Sequence, residues 1–437
     1  MVHPTDQVAD CSVDVIVVDI EDPAPELTAR RPDGGRWAGV WCIVRKAGVV
    51  ASVVEIPFGG RDVVPADEVA ALVESAVAGV PRRPLPSLPD ERLPSISVVV
   101  PSDLRRGRQL RESLAALDAL DYPDFEVLLI DNHRAGTAVD PASEIVAGLA
   151  RVRVVREAVP GISAARNAGV ASARGEVVAF TDDDVRVDPG WLRALGTRFA
   201  LRPDEDAVTG LILPAELETA AQLWFERHYG GFGGVRTFVP LTYRGGQGSP
   251  ARRAWVEVRD WSGELVRRFA VYGAGVAGAG ANMAFRADAL RRTGDFDVAL
   301  GTGTPARGGE DLAMIITLLW NGGAIGYEPA AVVFHTHRTD YSSLREQVHG
   351  HGRGFTAMMS SLIRAEPRHL LSLASQMPRV ARALVSRGGA VTPVTAPFGP
   401  PVPQELDRLG QRGGLRGPGA YVRSRRAARR NGATGHR

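Results

Sequence analysis

Three consecutive carboxylates, Asp182, Asp183 and Asp184, follow the apolar run Val177 to Phe180. Such a run reads as a buried strand, and it delivers the acids to the edge of a sheet. Open α/β sheets bind their ligands outside the carboxyl ends of strands. Alternate residues of extended backbone point the same way, so Asp182 and Asp184 can face one ligand while Asp183 points elsewhere. Two hard oxygen donors suit Mg²⁺ or Mn²⁺, which keep open positions for phosphate oxygens. The plainer alternative is a polar turn whose acids cap the helix announced by Asp188-Pro189-Gly190-Trp191.

Other stretches carry chemistry at strand or helix ends. Gly308-Gly309-Glu310-Asp311 opens a helix with Ile315, Leu318 and Leu319 on its apolar face. Acids in a first turn are favoured in their charged form by roughly 0.3–1 kcal/mol. That is ordinary helix-start chemistry, and it also suits a carboxylate base that must stay ionised near neutral pH. His335 and His337 stand at alternate positions after the strand-like run Ala330 to Phe334. Together with an acidic cluster at another strand end, they are candidate metal ligands. Gly278-Ala279-Gly280-Ala281-Asn282 is a small-residue loop that lets backbone approach a ligand; the alternative is a tight turn with no ligand.

The elements that must position these residues alternate from Ser95 onward. Strand-like Ile96 to Val100, Phe125 to Ile130, Val152 to Val155 and Val177 to Phe180 are separated by helical stretches at 108–120, 141–149 and 163–173. Near-continuous apolar strands with helical crossovers predict a parallel sheet covered on both faces. No Gly-x-Gly-x-x-Gly follows the first strand, so a dinucleotide cofactor is not expected. Residues 205–300 combine a strand at 207–213, an acidic helix at 215–229 and a Gly-rich aromatic region suited to loops and an antiparallel flap.

The remaining chain frames this core. Residues 1–85 form a small β-rich module with a hairpin across Arg45-Lys46-Ala47 and a helix at 67–80, read as a structural appendage or a docking element. A proline-dense linker leads into the domain expected over 95–340. Helices are expected over 341–387, with a break near Pro378. From 388 to 437 the Gly, Pro and Arg content predicts a disordered tail. With 437 residues and a formal net charge of +2, the chain has room for more than one domain and no charge that demands nucleic acid. Cys11 and Cys42 lie in no metal or redox spacing. No signal peptide or membrane-spanning run is read, so a cytoplasmic location is expected, with the C-terminal helices and Arg-rich tail as a peripheral contact to the inner face of the cell membrane.

Taken in order, the strand Ile96 to Pro101, the segment Val127 to Asn132, Pro160-Gly161-Ile162-Ser163-Ala164-Ala165-Arg166-Asn167, the acids Asp182 to Asp184, the Gly278 loop, Glu310-Asp311 and His335 resemble the inverting glycosyltransferases of family 2. The resemblance covers about residues 95–364. It implies the α/β GT-A fold of nucleotide-diphospho-sugar transferases, a mostly parallel sheet flanked by helices. It also implies a nucleotide-sugar donor, with a UDP-sugar the first expectation, and a glycan, lipid-linked or small-molecule acceptor. Asp131 then reads the nucleotide base, with Pro101 and Asp183 on the same donor side. Asp182 and Asp184 hold the ribose and a Mg²⁺ or Mn²⁺ ion, His335 completes the metal site and His337 is the fallback. Arg166 contacts the nucleotide or orients the acids. Asp311 is the base with Glu310 beside it, and Gly280 and Asn282 belong to the acceptor-side loop. The sequence departs from many relatives at Pro101-Ser102-Asp103-Leu104-Arg105-Arg106 and at Asp131-Asn132-His133. Two other readings are a nucleotidyltransferase, which needs a Gly-rich, basic loop after the first strand, and a non-catalytic nucleotide-sugar-binding protein. A membrane-processive synthase would add transmembrane helices and Gln-x-x-Arg-Trp.

Overall fold

The computed structural model describes residues 11–232, 236–376 and 399–432. Its centre is an eleven-stranded sheet. One half is parallel: Val152–Arg156, Phe125–Asp131, Ile96–Ser102 and Val177–Phe180 lie side by side in that order. These strands are almost wholly apolar because helices cover both faces. Met283–Arg286 then enters antiparallel, followed by Ala207–Pro214 and the long strand Ala324–His335, which run parallel to each other. A meander of Leu241–Gly245, Trp255–Asp260 and Leu265–Ala270 closes this edge, where the flap was expected. The expected α/β architecture with flanking helices is therefore present, parallel in its first half and mixed beyond it.

Two helical expectations shrink. Only Ala142–Ile145 is helical within 141–149, and the acidic helix begins at Ala220, where Thr219 and Gln222 form a capping box.

The N-terminal module is a three-stranded sheet with the helix Ala66–Val77 packed on it through Val69, Val73 and Val77. It is fused to the main domain by a shared apolar cluster. Trp41, Ile43 and Val50 meet Leu211, Leu213, Val332 and Phe334. Arg45 pairs with Asp188 and Arg227 with Glu55 across the seam. A cavity of about 270 Å³ lies where module, linker and domain meet, lined by Lys46, Val50, Leu85, Val239, Trp261 and Pro329. None of Asp182, Asp183 and Asp184 lines it.

The C-terminal expectation fails for a physical reason. Glu405–Arg430, inside the stretch read as a disordered tail, is a helix packed along Tyr341–Ala365. Its glycines are contact points. A Cβ on Gly413 would stand 2.1 Å from His349 O, and one on Gly417 1.9 Å from Thr356 Oγ1. Pro418 removes the hydrogen bond that Gly414 O would have accepted, and Thr356 Oγ1 donates to that carbonyl instead at 2.6 Å. Composition alone cannot separate glycine that loosens a chain from glycine that lets two helices touch. The break near Pro378 lies outside the described residues.

Candidate active site

After Val177–Phe180 the chain turns through the three acids and forms the short strand Val185–Val187. That strand pairs antiparallel with the end of Ala324–His335, with Val185 opposite His335. This register, not legible in the sequence, sets His335 beside Asp184 at 3.3 Å from Nε2 to Oδ1. One ligand atom from each of Asp182, Asp184 and His335 lies within 4.8 Å of the others. Burial holds the His335 imidazole down to about 4, against the opposing pull of Asp184. The ring is neutral at pH 7, the form that ligates metal. Burial, then the like charges of Asp184, Asp183 and Glu310, push Asp182 up to about 7, with Arg166 opposing. Crowded carboxylates beside a neutral imidazole fit a hard divalent cation, which would relieve their repulsion.

Asp183, in the turn between the two strands, is engaged elsewhere. It accepts from Ser102 Oγ at 2.6 Å and pairs with Arg106, whose Nη2 also lies 2.9 Å from Asp184 Oδ2. Its expected place on the donor side becomes an anchoring one. Arg106 has no role in the sequence reading because its partner Asp183 lies 77 residues on, beyond any local motif.

The second acid pair sits at the start of the helix Glu310–Trp320, entered through Gly309 at φ 88°. Glu310 is buried, and Arg166 Nη1 donates to it at 2.8 Å. Burial and the adjacent Asp311 raise its pKa. Arg166, itself 1% exposed, also reaches Asp182 at 3.5 Å. One guanidinium thus ties the candidate metal seat to the second pair. A Cβ at Gly280 would stand 2.4 Å from its Nη2, so the loop needs glycine there. Gly280 N–H donates to Asp311 Oδ2 at 2.8 Å, and Leu312 N–H to Oδ1 at 2.7 Å. Among the described residues Asp311 has no ion pair, so its carboxylate is held by backbone alone.

His337 and Asn282 are committed to other partners. His337 Nε2 lies 2.7 Å from Glu226 Oε2, and Arg236 pairs with the same carboxylate; His337 is part of a buried ion-pair cluster and stands outside the metal group. Asn282 is fully buried, accepts from Trp191 Nε1 and donates to Leu211 O and Ala331 O, which fixes the loop from beneath and leaves nothing for an acceptor. Pro101 is buried within its strand. Asp131 ends the neighbouring strand, held by Arg156 at 2.7 Å and His133 at 2.6 Å. Asn132, not singled out by the sequence reading, accepts from Gly161 N–H and donates to Val159 O, shaping the turn that starts Arg166's helix. His351, also passed over, packs against Phe225 and lies close enough to Asp311 for their charges to interact.

Residues 97–259 match glycosyl transferase family 2. An uncharacterized protein, y4gI, of Sinorhizobium fredii is 37% identical over 120 residues, covering 26% of this chain and 13% of the relative. The uncharacterized glycosyltransferase YibD of Escherichia coli is 31% identical over 111 residues, 25% of this chain and 32% of its own. The chain thus spans less than a third of the length of these relatives. Among solved structures, a mannosyltransferase from Pyrobaculum calidifontis, in complex with GDP-Man and Mn²⁺, aligns with TM-score 0.43 and 17% identity over 80% of this chain and 90% of its own. The sheet, parallel in one half and flanked by helices, has the α/β architecture that the resemblance implied. By sequence, the match to glycosyl transferase family 2 is confined to residues 97–259 of the 437-residue chain.

Proposed function

We propose that this protein is an inverting glycosyltransferase. It moves a sugar from a nucleotide-diphospho-sugar to an acceptor hydroxyl in one metal-assisted displacement, for polysaccharide, glycolipid or natural-product glycan synthesis. The observation that carries the reading is the join between the two acid clusters: Arg166 touches both Glu310 and Asp182, so one guanidinium links the candidate metal seat to the helix start that carries Asp311.

Asp182, Asp184 and His335 would hold Mg²⁺ or Mn²⁺, which offsets the charge gathering on a departing nucleoside diphosphate. Asp131, at the end of its strand, lies on the side of the nucleotide base. Asp311 takes the acceptor hydroxyl's proton as that oxygen attacks the anomeric carbon and the bond to the diphosphate breaks on the opposite face. Gly280 and Leu312 N–H groups keep the Asp311 carboxylate aimed. Glu310 does not share this task, because Arg166 occupies it. Arg166 orients acids and does not meet the nucleotide, being buried beneath them.

Membrane contact fits the C-terminal helix. From Arg408 to Arg430 it carries Arg and no acid, and it exposes Leu415 and Val422. Anionic lipid attracts such a face by ~1 kcal/mol per basic residue. No helix among the described residues is long and apolar enough to cross a membrane.

The test is a thermal-shift screen of UDP- and GDP-sugars with and without Mn²⁺, followed by transfer and donor-hydrolysis assays on the best binder. A ligand at about 100 times its dissociation constant adds ~2.7 kcal/mol of stability. Mn²⁺-dependent stabilisation with turnover is expected. Binding without turnover favours the non-catalytic reading, and no nucleotide-sugar binding contradicts both.

A further inference from the structure

Arg106 stands at the N-terminal end of the helix Gly107–Asp118, with 28% of its side chain exposed to solvent. Its guanidinium forks across two of them, pairing with Asp183 through Nη1 and lying 2.9 Å from Asp184 Oδ2 through Nη2. Asp184 puts its other oxygen 3.3 Å from His335. A carboxylate of the metal seat is therefore already neutralised by an internal cation. A guanidinium beside the seat opposes a divalent ion by charge, and it cannot ligate one. A diphosphate offers the same planar fork a replacement for the carboxylate it gives up. Asp183 has a second hold, the hydrogen bond from Ser102, so it stays in place while Arg106 changes partners.

We propose that Arg106 is a diphosphate-binding group that rests on Asp183 and Asp184 in the free protein. Its move from Asp184 to the donor's diphosphate makes metal binding depend on the donor. This rests on the nucleotide-sugar reading above. The metal alone meets a seat whose acid is taken; metal and diphosphate together exchange one ion pair for two.

The test measures Mn²⁺ binding by the loss of the free-ion electron paramagnetic resonance signal. The full-length protein, Arg106→Gln and Arg106→Lys are compared without nucleotide and with excess UDP or GDP. Circular dichroism and melting confirm folding. Unaltered protein is expected to bind Mn²⁺ at least about tenfold more tightly when the diphosphate is present. Arg106→Gln is expected to bind Mn²⁺ alone about tenfold more tightly than the unaltered protein and to bind the diphosphate about tenfold more weakly. Arg106→Lys, which keeps the charge without the fork, falls between. A residue that merely packs moves both affinities in the same direction. Mn²⁺ affinity without nucleotide that is unchanged or lower in Arg106→Gln overturns the inference and leaves the nucleotide-sugar reading standing. If Arg106→Gln does not fold, Arg106→Lys decides by the same criterion. Unaltered protein that binds neither UDP nor GDP with Mn²⁺ overturns both.

Discussion

The acids around Asp182 and the acids around Glu310 are both runs of neighbours in sequence, yet each run divides its labour in a different way. At Asp182–Asp184 the middle residue is committed to structure, through Ser102 and Arg106, while its two flanking neighbours converge with His335. The division follows the turn that links Val177–Phe180 to Val185–Val187. At Glu310–Asp311 the first residue is committed, to Arg166, and the second faces the Gly280 loop. That division follows the turn of a helix, where adjacent side chains diverge by about 100°. The first cluster is held by side-chain cations and the second acid, Asp311, by backbone N–H groups. The lesson is that adjacent carboxylates are not interchangeable, and substitution can break the comparison at each point.

The largest effect is expected at Asp311. Asp311→Asn should lower the turnover number by about 10³-fold, the scale of a lost general base, with nucleotide affinity nearly unchanged. Glu310→Gln should instead lower stability by about 3 kcal/mol, since it leaves Arg166 buried against a neutral partner. Transfer kinetics, nucleotide titration and melting separate the two; equal loss of nucleotide binding in Asp311→Asn would count against the base assignment.

At the metal seat, Asp184→Ala should weaken Mn²⁺-dependent donor binding by about 100-fold. Of the two histidines, only His335→Ala should follow it. His337→Gln should lower the melting temperature while sparing Mn²⁺ affinity, because His337 serves Glu226. Mn²⁺ titrations that find the two histidines alike would erase the distinction drawn here.

A smaller effect comes from protons. Asp182, pushed up to about 7, must lose its proton to ligate, so Mn²⁺ affinity should climb as pH rises toward 7 and level off above it. For the metal-free protein, an acid raised from 3.8 gives stability that is fully present below that value and lost as pH rises through about 7. Added Mn²⁺ should restore it. Calorimetric titrations and melts across this range check both signs; Mn²⁺ affinity that is flat with pH contradicts them.

The smallest change tests the C-terminal helix. Gly417→Ala places a methyl 1.9 Å from Thr356 Oγ1 and should cost about 1–3 kcal/mol, with proteolysis of Glu405–Arg430 as the sensitive readout. An unchanged cleavage rate would mean that the helix does not depend on that contact.

These outcomes bear on what one sequence discloses. Asp184, Asp311 and His335 stand out in the sequence because each lies at the end or start of an element with a strong pattern, and such ends are where sheets present their ligands. Arg106 was not legible, since nothing local marks an arginine whose partners arrive 77 residues later. His337 and Asn282 were misread for one reason: a polar residue next to a functional one looks the same whether it meets a ligand or satisfies buried neighbours. The helix Glu405–Arg430 was missed because its glycines are explained only by the surface of Tyr341–Ala365.

The most direct test is a crystal structure grown with Mn²⁺ and UDP or GDP, with manganese located by its anomalous signal. The account predicts one peak about 2.1–2.3 Å from oxygens of Asp182 and Asp184 and from His335 Nε2, with the diphosphate on its open side. A peak bound by His337 and Glu226, or a diphosphate seated away from Asp182, Asp184 and His335, would contradict it.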